Sequence, residues 1–241
     1  MPIRPFLTVL FGALSLLAFG RPGDAREPPA TAPQPLVTVE LFQSQGCSSC
    51  PPAEANLNAL AGKPGILALS FGVTYWDSLG WKDTFATKAY TDRQWAYARH
   101  RGRDNVWTPQ VYVNGHADLV GSDRAQLDRA IAQATSHGPQ LAWQKNQLLV
   151  SAGKPSAACD VWLVRYDPRT LNVAIGAGEN RGRTLPHRNV VREMLHLGRW
   201  DGSPRAFAVP PATMAGLSTA ALVQIAAGGD IVSASMDPAS R

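Results

Sequence analysis

Two cysteines separated by two serines constrain this chain more than any other feature of its sequence. Cys47 and Cys50 follow an apolar, β-branched run of strand length over residues 36–42 and a short polar turn that contains Gly46. A helix-forming segment over residues 51–61 begins directly after the second cysteine. The pattern therefore predicts a strand, a Cys-x-x-Cys motif and a helix in immediate succession.

The start of a helix favours a thiolate over a thiol, because unpaired backbone N–H groups and the positive end of the helix dipole lie there. We therefore expect Cys47 to be an exposed, acidic nucleophile and Cys50 to be the shielded sulfur that resolves a mixed disulfide. Half of a zinc site or a plain structural disulfide has the same spacing. The motif alone therefore leaves both of these alternatives open.

The N-terminal residues have the organisation of a secretory signal. Residues 1–25 combine a basic start, an apolar run over residues 6–19, and small residues at Gly23 and Ala25 that are spaced like a cleavage site. The apolar run is short for a membrane span. We therefore expect cleavage, no stable membrane span after it, and a periplasmic or secreted location, with a retained anchor as the alternative. The proline-rich residues 26–35 are predicted to be a flexible lead.

The charge of the chain is mildly basic. Cleavage would lower the formal net charge from +5 to +4, because two arginines and one aspartate leave with the signal. No block of Lys and Arg is interleaved with aromatic residues, so a nucleic acid is not an expected partner.

The rest of the chain divides by composition. Strands and helices alternate up to about Ala134, whereas short alternating strands and turns dominate from Leu141 onward. We therefore expect an α/β domain over residues 36–136 and a smaller antiparallel β-rich, sandwich-like domain over residues 139–241. The second domain is predicted to contain two hairpins, which pair 159–166 with 171–175 and 220–226 with 231–235. The polar segment 179–189 between them is interpreted as a solvated connection, with a loop that reaches the thiols as the alternative.

A long aromatic loop follows the second predicted strand, which spans residues 65–71. It carries Trp76, Asp77 and Trp81, and it leaves the carboxyl end of a strand beside the cysteines. Such a loop is suited to grip a partner, because large rings supply apolar contact area. Packing of the same rings onto the core is the alternative.

Thr108 and Pro109 precede a predicted strand that turns at Asn114-Gly115 into a second one. An Asn-Gly pair between two strands is a strong hairpin signal. Helices are predicted before and after this hairpin, over residues 87–101 and 122–134.

The order strand, Cys-x-x-Cys helix, strand, helix, Thr-Pro, hairpin, helix resembles thioredoxin. The resemblance implies a thioredoxin-like fold for the first domain and a cis Pro109 against the cysteines, with Thr108 offering its backbone to a bound peptide. It also implies a buried acid near the motif, for which Glu40 is the candidate, able to take a proton from Cys50. A solvent-facing Glu40 at a strand end is the alternative.

The residue sequences of three longer segments are similar to those of a family of secreted bacterial proteins catalogued as domain of unknown function 1223. The segments are Val39–Ala53, Tyr75–Asp83 and Thr108–Gly115. The family's name assigns no activity, so the resemblance informs the fold more than the function.

Three function classes remain. The first is a thiol–disulfide oxidoreductase of the cell envelope that acts on protein thiols and disulfides without a cofactor. The second is a copper or zinc carrier, since paired thiolates suit both metals, although the histidines show no ligand spacing with the pair. The third is a binding module with a structural disulfide. The third cysteine, Cys159, is predicted to be a buried small hydrophobe.

Overall fold

The computed structural model describes residues 1–3 and 36–240. Most of the predicted signal peptide and all of the predicted flexible lead therefore lie outside the described residues. Within the described ranges, no helix is both long enough and apolar enough to cross a bilayer.

The described chain contains three α-helices and thirteen β-strands. The helices are α1 Pro51–Asn58, α2 Lys88–His100 and α3 Arg124–Gln133. The first strands are β1 Val37–Gln43, β2 Ile66–Gly72, β3 Gln110–Val113, β4 Ala117–Leu119, β5 Leu141–Gln144 and β6 Gln147–Val150. They are followed by β7 Cys159–Asp167, β8 Leu171–Ala174, β9 Thr184–His187, β10 Val190–Trp200, β11 Arg205–Ala208, β12 Ser218–Ile225 and β13 Ile231–Met236. Two short 3₁₀ turns, Asp77–Leu79 and Pro238–Ser240, complete the list.

One mixed sheet of eight strands dominates the molecule. Its strand order is β13-β12-β7-β10-β2-β1-β3-β4. β1 and β2 run parallel and flank the Cys-x-x-Cys helix, whereas β1 and β3 run antiparallel. A three-stranded sheet, β11-β6-β5, and a two-stranded ribbon, β8-β9, lie outside the large sheet.

The predicted fold class is wrong. A thioredoxin-like α/β domain and a separate sandwich-like domain would each have their own sheet, but β2 and β10 join the two halves within one sheet. Val190 of β10 is paired in register with Ser70 of β2, and the Ser70 N–H donates to the Asn189 carbonyl at 3.0 Å. The protein is a β-rich molecule with few helices, built on a single large mixed sheet.

The distribution of apolar side chains explains why the two halves of the chain share one sheet. Phe42 and Phe71 from the first half share one buried cluster with Val164, Leu222 and Ile231 from the second half. Strands β7 and β12 of the second half are buried over most of their length, which is not expected of a sheet with one face exposed to solvent. Continuing the existing sheet buries them on both sides.

The remaining elements cover the faces of the large sheet. α2 contributes Tyr90 and Tyr97 to the cluster that spans both halves. On the opposite side of β1, Leu57 of α1 and Leu127 of α3 join a second cluster. Phe207 of the three-stranded sheet belongs to a third cluster, which includes residues of β7 and β12.

Several local predictions can be checked against strand pairing. The Asn114-Gly115 hairpin is confirmed, since both residues have positive φ (46° and 65°) and connect β3 to β4. The hairpin of β12 with β13 is also confirmed. The predicted hairpin of β7 with β8 is wrong, because β7 pairs with β10 and β12 while β8 pairs with β9.

Cys159 is fully buried at the start of β7, as predicted. Burial raises the pKa of its thiol, and the neighbouring Asp160 carboxylate adds to the shift. A buried thiol of raised pKa is a poor nucleophile. Cys159 is therefore a core residue and stands apart from the other two cysteines.

Candidate functional site around the Cys47–Cys50 disulfide

Cys47 and Cys50 form a disulfide at the junction of β1 and α1, with their Cα atoms 5.5 Å apart. Cys50 occupies the position before the first helical residue, and Pro51 and Pro52 fill the first turn. Proline is tolerated there because its missing N–H would have no partner within the helix. The predicted sequence of strand, motif and helix is confirmed.

The predicted exposure of Cys47 is wrong. Its exposed fraction is 0%, and that of Cys50 is 2%. The two serines between them, Ser48 and Ser49, are exposed instead. The motif therefore presents its polar serines to solvent while both sulfur-bearing residues are covered.

The residues that cover the motif come from the connection between β8 and β9, which we call the cap loop (residues 175–183). The Asn180 side chain is fully buried, and its amide donates to the carbonyl oxygens of Gln45 (2.9 Å) and Cys47 (2.8 Å). The exposed Glu179 carboxylate accepts from the Ser48 N–H at 3.0 Å, which lowers the pKa of Glu179. The interpretation of this segment as a solvated connection is wrong, and the alternative of a loop that reaches the thiols is correct.

Trp81 packs against the cap loop and bonds to the turn before the motif. Its indole N–H donates to the Gln45 side-chain carbonyl at 2.9 Å. Gly178 has a φ of +73°, and a Cβ atom on it would lie 3.3 Å from the Trp81 Cβ and 3.8 Å from the Gly46 Cα. A glycine is needed at this position both for the backbone conformation and for the close approach. The predicted binding residue Trp81 therefore packs the cap loop against the motif.

The Thr108–Pro109 bond is cis, as predicted. The Thr108 carbonyl oxygen lies 3.8 Å from the Cys47 Sγ and accepts from the Ser49 hydroxyl at 3.4 Å. The Ser49 hydroxyl is also 3.2 Å from the same sulfur. Trp76 donates its indole N–H to the Thr108 hydroxyl at 2.6 Å. The structure thus brings Thr108, Pro109 and Trp76 to the Cys47 side of the disulfide.

Asp77 lies one step further from the sulfurs. Its carboxylate accepts from the Asp83 N–H at 3.1 Å, which closes the aromatic loop on itself. Asp83 is buried and accepts from the Gln45 N–H at 2.7 Å and the Phe85 N–H at 2.8 Å. Burial raises the pKa of Asp83, against the effect of these two hydrogen bonds. Asp77 therefore shapes the loop, and its contacts are with that loop.

Glu40 points inward, so the solvent-facing alternative is wrong, but its contacts differ from the predicted ones. Its exposed fraction is 0%, and Arg93 of α2 donates to both carboxylate oxygens, at 3.0 and 3.1 Å. The Tyr97 hydroxyl donates to the same carboxylate. Arg93 extends the network to Gln224 of β12 at 3.0 Å. The hydrogen bonds of Glu40 to Arg93 and Tyr97 therefore connect α2 to the sheet and do not involve the cysteines.

Two residues that the sequence reasoning missed lie beside Cys50. A cavity of about 190 Å³ is lined by Cys50, Glu54 and His187 together with the first turns of α1. Glu54 could have been found, since a residue four positions after Cys50 on a helix faces the same way. His187 could not, because it reaches the site from β9 across 137 residues of sequence.

A metal site receives no support from the geometry. Across residues 36–240, no grouping of three or more His, Cys, Asp or Glu side chains is arranged to hold a metal ion.

Comparison with known proteins gives the chain a family. The family model described as "Protein of unknown function (DUF1223)" matches residues 38–225. The crystal structure of protein AGR_C_4864 from Agrobacterium tumefaciens is similar at 33% identity and a TM-score of 0.68, over 83% of this chain and 92% of that one. HBP35 of Porphyromonas gingivalis is similar in fold, at 15% identity and a TM-score of 0.50, over 84% of this chain and 74% of that one. A search of the curated proteins returned no significant match. The chain belongs to the DUF1223 family of proteins of unknown function.

Proposed function

We propose that this protein is a thiol–disulfide oxidoreductase of the cell envelope, acting after removal of residues 1–25, and that the Cys47–Cys50 disulfide is its redox centre. The observation that carries the proposal is the asymmetry of the pair. Cys47 lies against the Thr108 carbonyl and the Ser49 hydroxyl, under a loop held by a few side-chain hydrogen bonds. Cys50 instead lines a partly open pocket of about 190 Å³.

This asymmetry assigns a role to each sulfur. A thiolate of the partner protein attacks the Cys47 Sγ, a new Cys47–partner disulfide forms, and Cys50 leaves as a thiolate. A second thiolate of the partner then attacks the partner's sulfur in the mixed disulfide. A disulfide forms within the partner, and Cys47 leaves as a thiolate. The partner is thereby oxidised by two electrons and the Cys47–Cys50 pair is reduced by two. The reverse sequence reduces a partner disulfide.

The Ser49 hydroxyl is suited to stabilise the Cys47 thiolate. It lies 3.2 Å from the sulfur and needs only to turn its proton away from the Thr108 carbonyl. A hydrogen bond to a charged acceptor is worth about twice a neutral one. Stabilisation of the thiolate favours the reduced form of the pair, which is the requirement for an oxidant.

A structural role accounts less well for the disulfide. The bond closes a loop with a sequence separation of only three residues. By the loop-closure relation such a short loop contributes about 2 kcal/mol at most, less than longer loops do. The bond also lies where β1 and α1 are already buried, so the fold gains little from a covalent link.

We expect a partner protein to contact the aromatic loop and the exposed Ser48 and Ser49. Tyr75 and Leu79 of this loop have exposed fractions of 37% and 57%, although both carry large apolar groups. Trp76 of the same loop donates its indole N–H to the Thr108 hydroxyl. Exposed apolar side chains around a covered reactive group favour a protein partner over a small molecule.

Replacing the attacking sulfur tests the proposal directly. Cys47→Ser is expected to abolish catalysed reduction of insulin disulfides and oxidation of reduced ribonuclease, because no electrophilic or nucleophilic sulfur remains at the partner-facing position. Cys50→Ser is expected to accumulate a mixed disulfide with the partner, visible as a dithiothreitol-sensitive adduct by mass spectrometry.

Cys159→Ala is the matched control, since this cysteine is buried away from the pair, and it should retain both activities. Absence of both activities in the unaltered protein, with the fold intact, would contradict the proposal and favour a binding module.

A further inference from the structure

A buried acid and a buried imidazole line the same partly open pocket as Cys50. Glu54 has an exposed fraction of 4% and His187 one of 1%. Their Oε1 and Nδ1 atoms are 3.3 Å apart. A carboxyl group and an imidazole therefore line the same pocket as the second sulfur.

The fold brings the three residues together from two directions. The Glu54 N–H donates to the Cys50 carbonyl at 3.0 Å, so the two residues stand one helical turn apart on the same face of α1. His187 is the last residue of β9, the strand that follows the cap loop. Phe85 holds the imidazole from the other side, with the two rings 5.6 Å apart in an edge-on contact. The pair is thus fixed by both the motif helix and the strand that carries the cap.

The hydrogen bonding of the pair is incomplete. Glu54 accepts from the Ser70 hydroxyl at 3.3 and 3.4 Å, both long distances for such a bond. Within residues 36–240, neither ring nitrogen of His187 has a hydrogen-bond partner of good geometry. A buried polar group without a partner costs about 1–3 kcal/mol. A group retained at such a cost, facing a cavity next to a reactive sulfur, points to a use in the chemistry of that sulfur.

The other charged groups near the imidazole are already engaged. Asp83 accepts two backbone N–H groups at 2.7 and 2.8 Å. Arg183, which lines the same cavity, donates to the Asn180 side-chain carbonyl at 2.8 Å. Arg192 of β10 stacks over the Phe85 ring. Glu54 and His187 differ from Asp83 and Arg192 in that they line the same pocket as Cys50.

We propose that Glu54 and His187 together hold the proton that Cys50 takes up when it leaves the disulfide and gives back when it attacks. In the first direction, a partner thiolate forms a disulfide with Cys47, the Cys47–Cys50 bond breaks, Cys50 leaves as a thiolate, and the Glu54–His187 pair transfers one proton to it. In the second direction, the pair accepts the Cys50 proton, and the resulting thiolate attacks Cys47 in a mixed disulfide and expels the partner's thiolate. The inference rests on the proposed function and adds the proton path to it.

The intramolecular step can be measured without a protein partner. In a Cys159→Ala background, the reduced protein is mixed with 5,5′-dithiobis(2-nitrobenzoate), and release of the second thionitrobenzoate reports the attack of Cys50 on the mixed disulfide. Glu54→Gln is expected to slow this second release about tenfold at pH 7, because Cys50 then ionises near the ordinary thiol pKa of about 8.5. The rate should recover as the pH rises to 9.

The control is Asp128→Asn, which removes an exposed carboxylate from α3 and should leave the second release unchanged. A Glu54→Gln protein with the rate and pH profile of the unaltered one would overturn the proposal. If Glu54→Gln does not fold, His187→Gln serves as the second variant with the same expected slowing. Because the reagent is not a protein, failure to exchange with protein thiols would contradict the proposed function while leaving this result intact.

A second readout separates a proton path from a merely structural role. In Cys47→Ala, Cys50 is the sole sulfur of the motif, and its ionisation can be followed by thiolate absorbance at 240 nm. Adding Glu54→Gln is expected to raise the titration midpoint of Cys50 by about one pH unit. A midpoint that is the same with and without Glu54 would contradict a proton path, whatever the stability of the variants.

Discussion

Replacing Arg93 by methionine is expected to lower the free energy of unfolding by about 3–5 kcal/mol, because the substitution leaves a buried carboxylate without its counter-ion. The carboxylate of Glu40 has no exposed surface, and Arg93 supplies two of its hydrogen bonds. Arg93 also bonds to Gln224, which links the two halves of the large sheet. Urea denaturation followed by circular dichroism measures the change.

Two further variants distinguish this explanation from a simple loss of packing. Lys88→Met removes the same charge from an exposed ion pair with Asp92 on the same helix, and should cost less than about 1 kcal/mol. Adding Glu40→Met to Arg93→Met should recover much of the lost stability, because the unpaired charge is then gone. A double variant as unstable as the single one would contradict the electrostatic explanation. Redox activity per folded molecule should be retained, since Glu40 contacts Arg93 and Tyr97.

Asn180→Ala is expected to accelerate reduction of the Cys47–Cys50 disulfide by dithiothreitol about tenfold to a hundredfold. The Asn180 amide closes the cap loop with two buried hydrogen bonds, to the carbonyls of Gln45 and Cys47. Losing both favours the open loop by about 1–3 kcal/mol, and each 1.4 kcal/mol changes the open population tenfold. Stopped-flow tryptophan fluorescence or quenched alkylation measures the rate.

Asn172→Ala is the matched control for the cap loop. It removes the same amide from an exposed position on β8, just before the loop, and should leave the reduction rate unchanged. Glu179→Gln should have a smaller effect than Asn180→Ala, because the Glu179 carboxylate is exposed and its single bond to Ser48 competes with water. If Asn180→Ala reacts at the rate of the unaltered protein while remaining folded, the cap loop does not control access to the sulfurs.

The parts of the site that lie close together in sequence could be predicted. A β-branched run, the Cys47–Cys50 motif and a helix-forming segment follow one another, so local propensity alone suffices. The Asn114-Gly115 turn was also predictable, because the backbone preference of the Asn-Gly pair is a local property. The cis Thr108–Pro109 bond was expected from the resemblance to thioredoxin, and proline makes such a bond possible.

The contacts that bring the two halves together could not be predicted. The pairing of Val190 with Ser70, which merges two expected sheets into one, depends on which of several apolar strands meets the free edge of β2. Periodicity describes the faces of a strand and does not identify its neighbour. The thioredoxin-like interpretation failed for this reason, although its local elements are present.

The burial of the site could not be predicted either, because the residues that cover it are distant in sequence. Asn180 covers Cys47 from 133 residues away, in a segment whose polar composition is typical of solvated loops. An inward Glu40 was only one of two orientations that the sequence left open, and its partner Arg93 lies 53 residues further on, where nothing in the spacing identifies it. Side chains that complete a site across a sheet leave no local pattern.

The reduction potential of the Cys47–Cys50 pair distinguishes a redox centre from a structural disulfide. The measurement is an equilibrium titration of the Cys159→Ala protein against dithiothreitol, with the fraction of reduced pair read by alkylation and mass spectrometry. We expect a potential above about −300 mV, in the range of catalytic pairs, with the fold retained on reduction. A potential below about −300 mV, together with a melting temperature that falls by many degrees on reduction, would contradict the proposed function and identify the disulfide as structural.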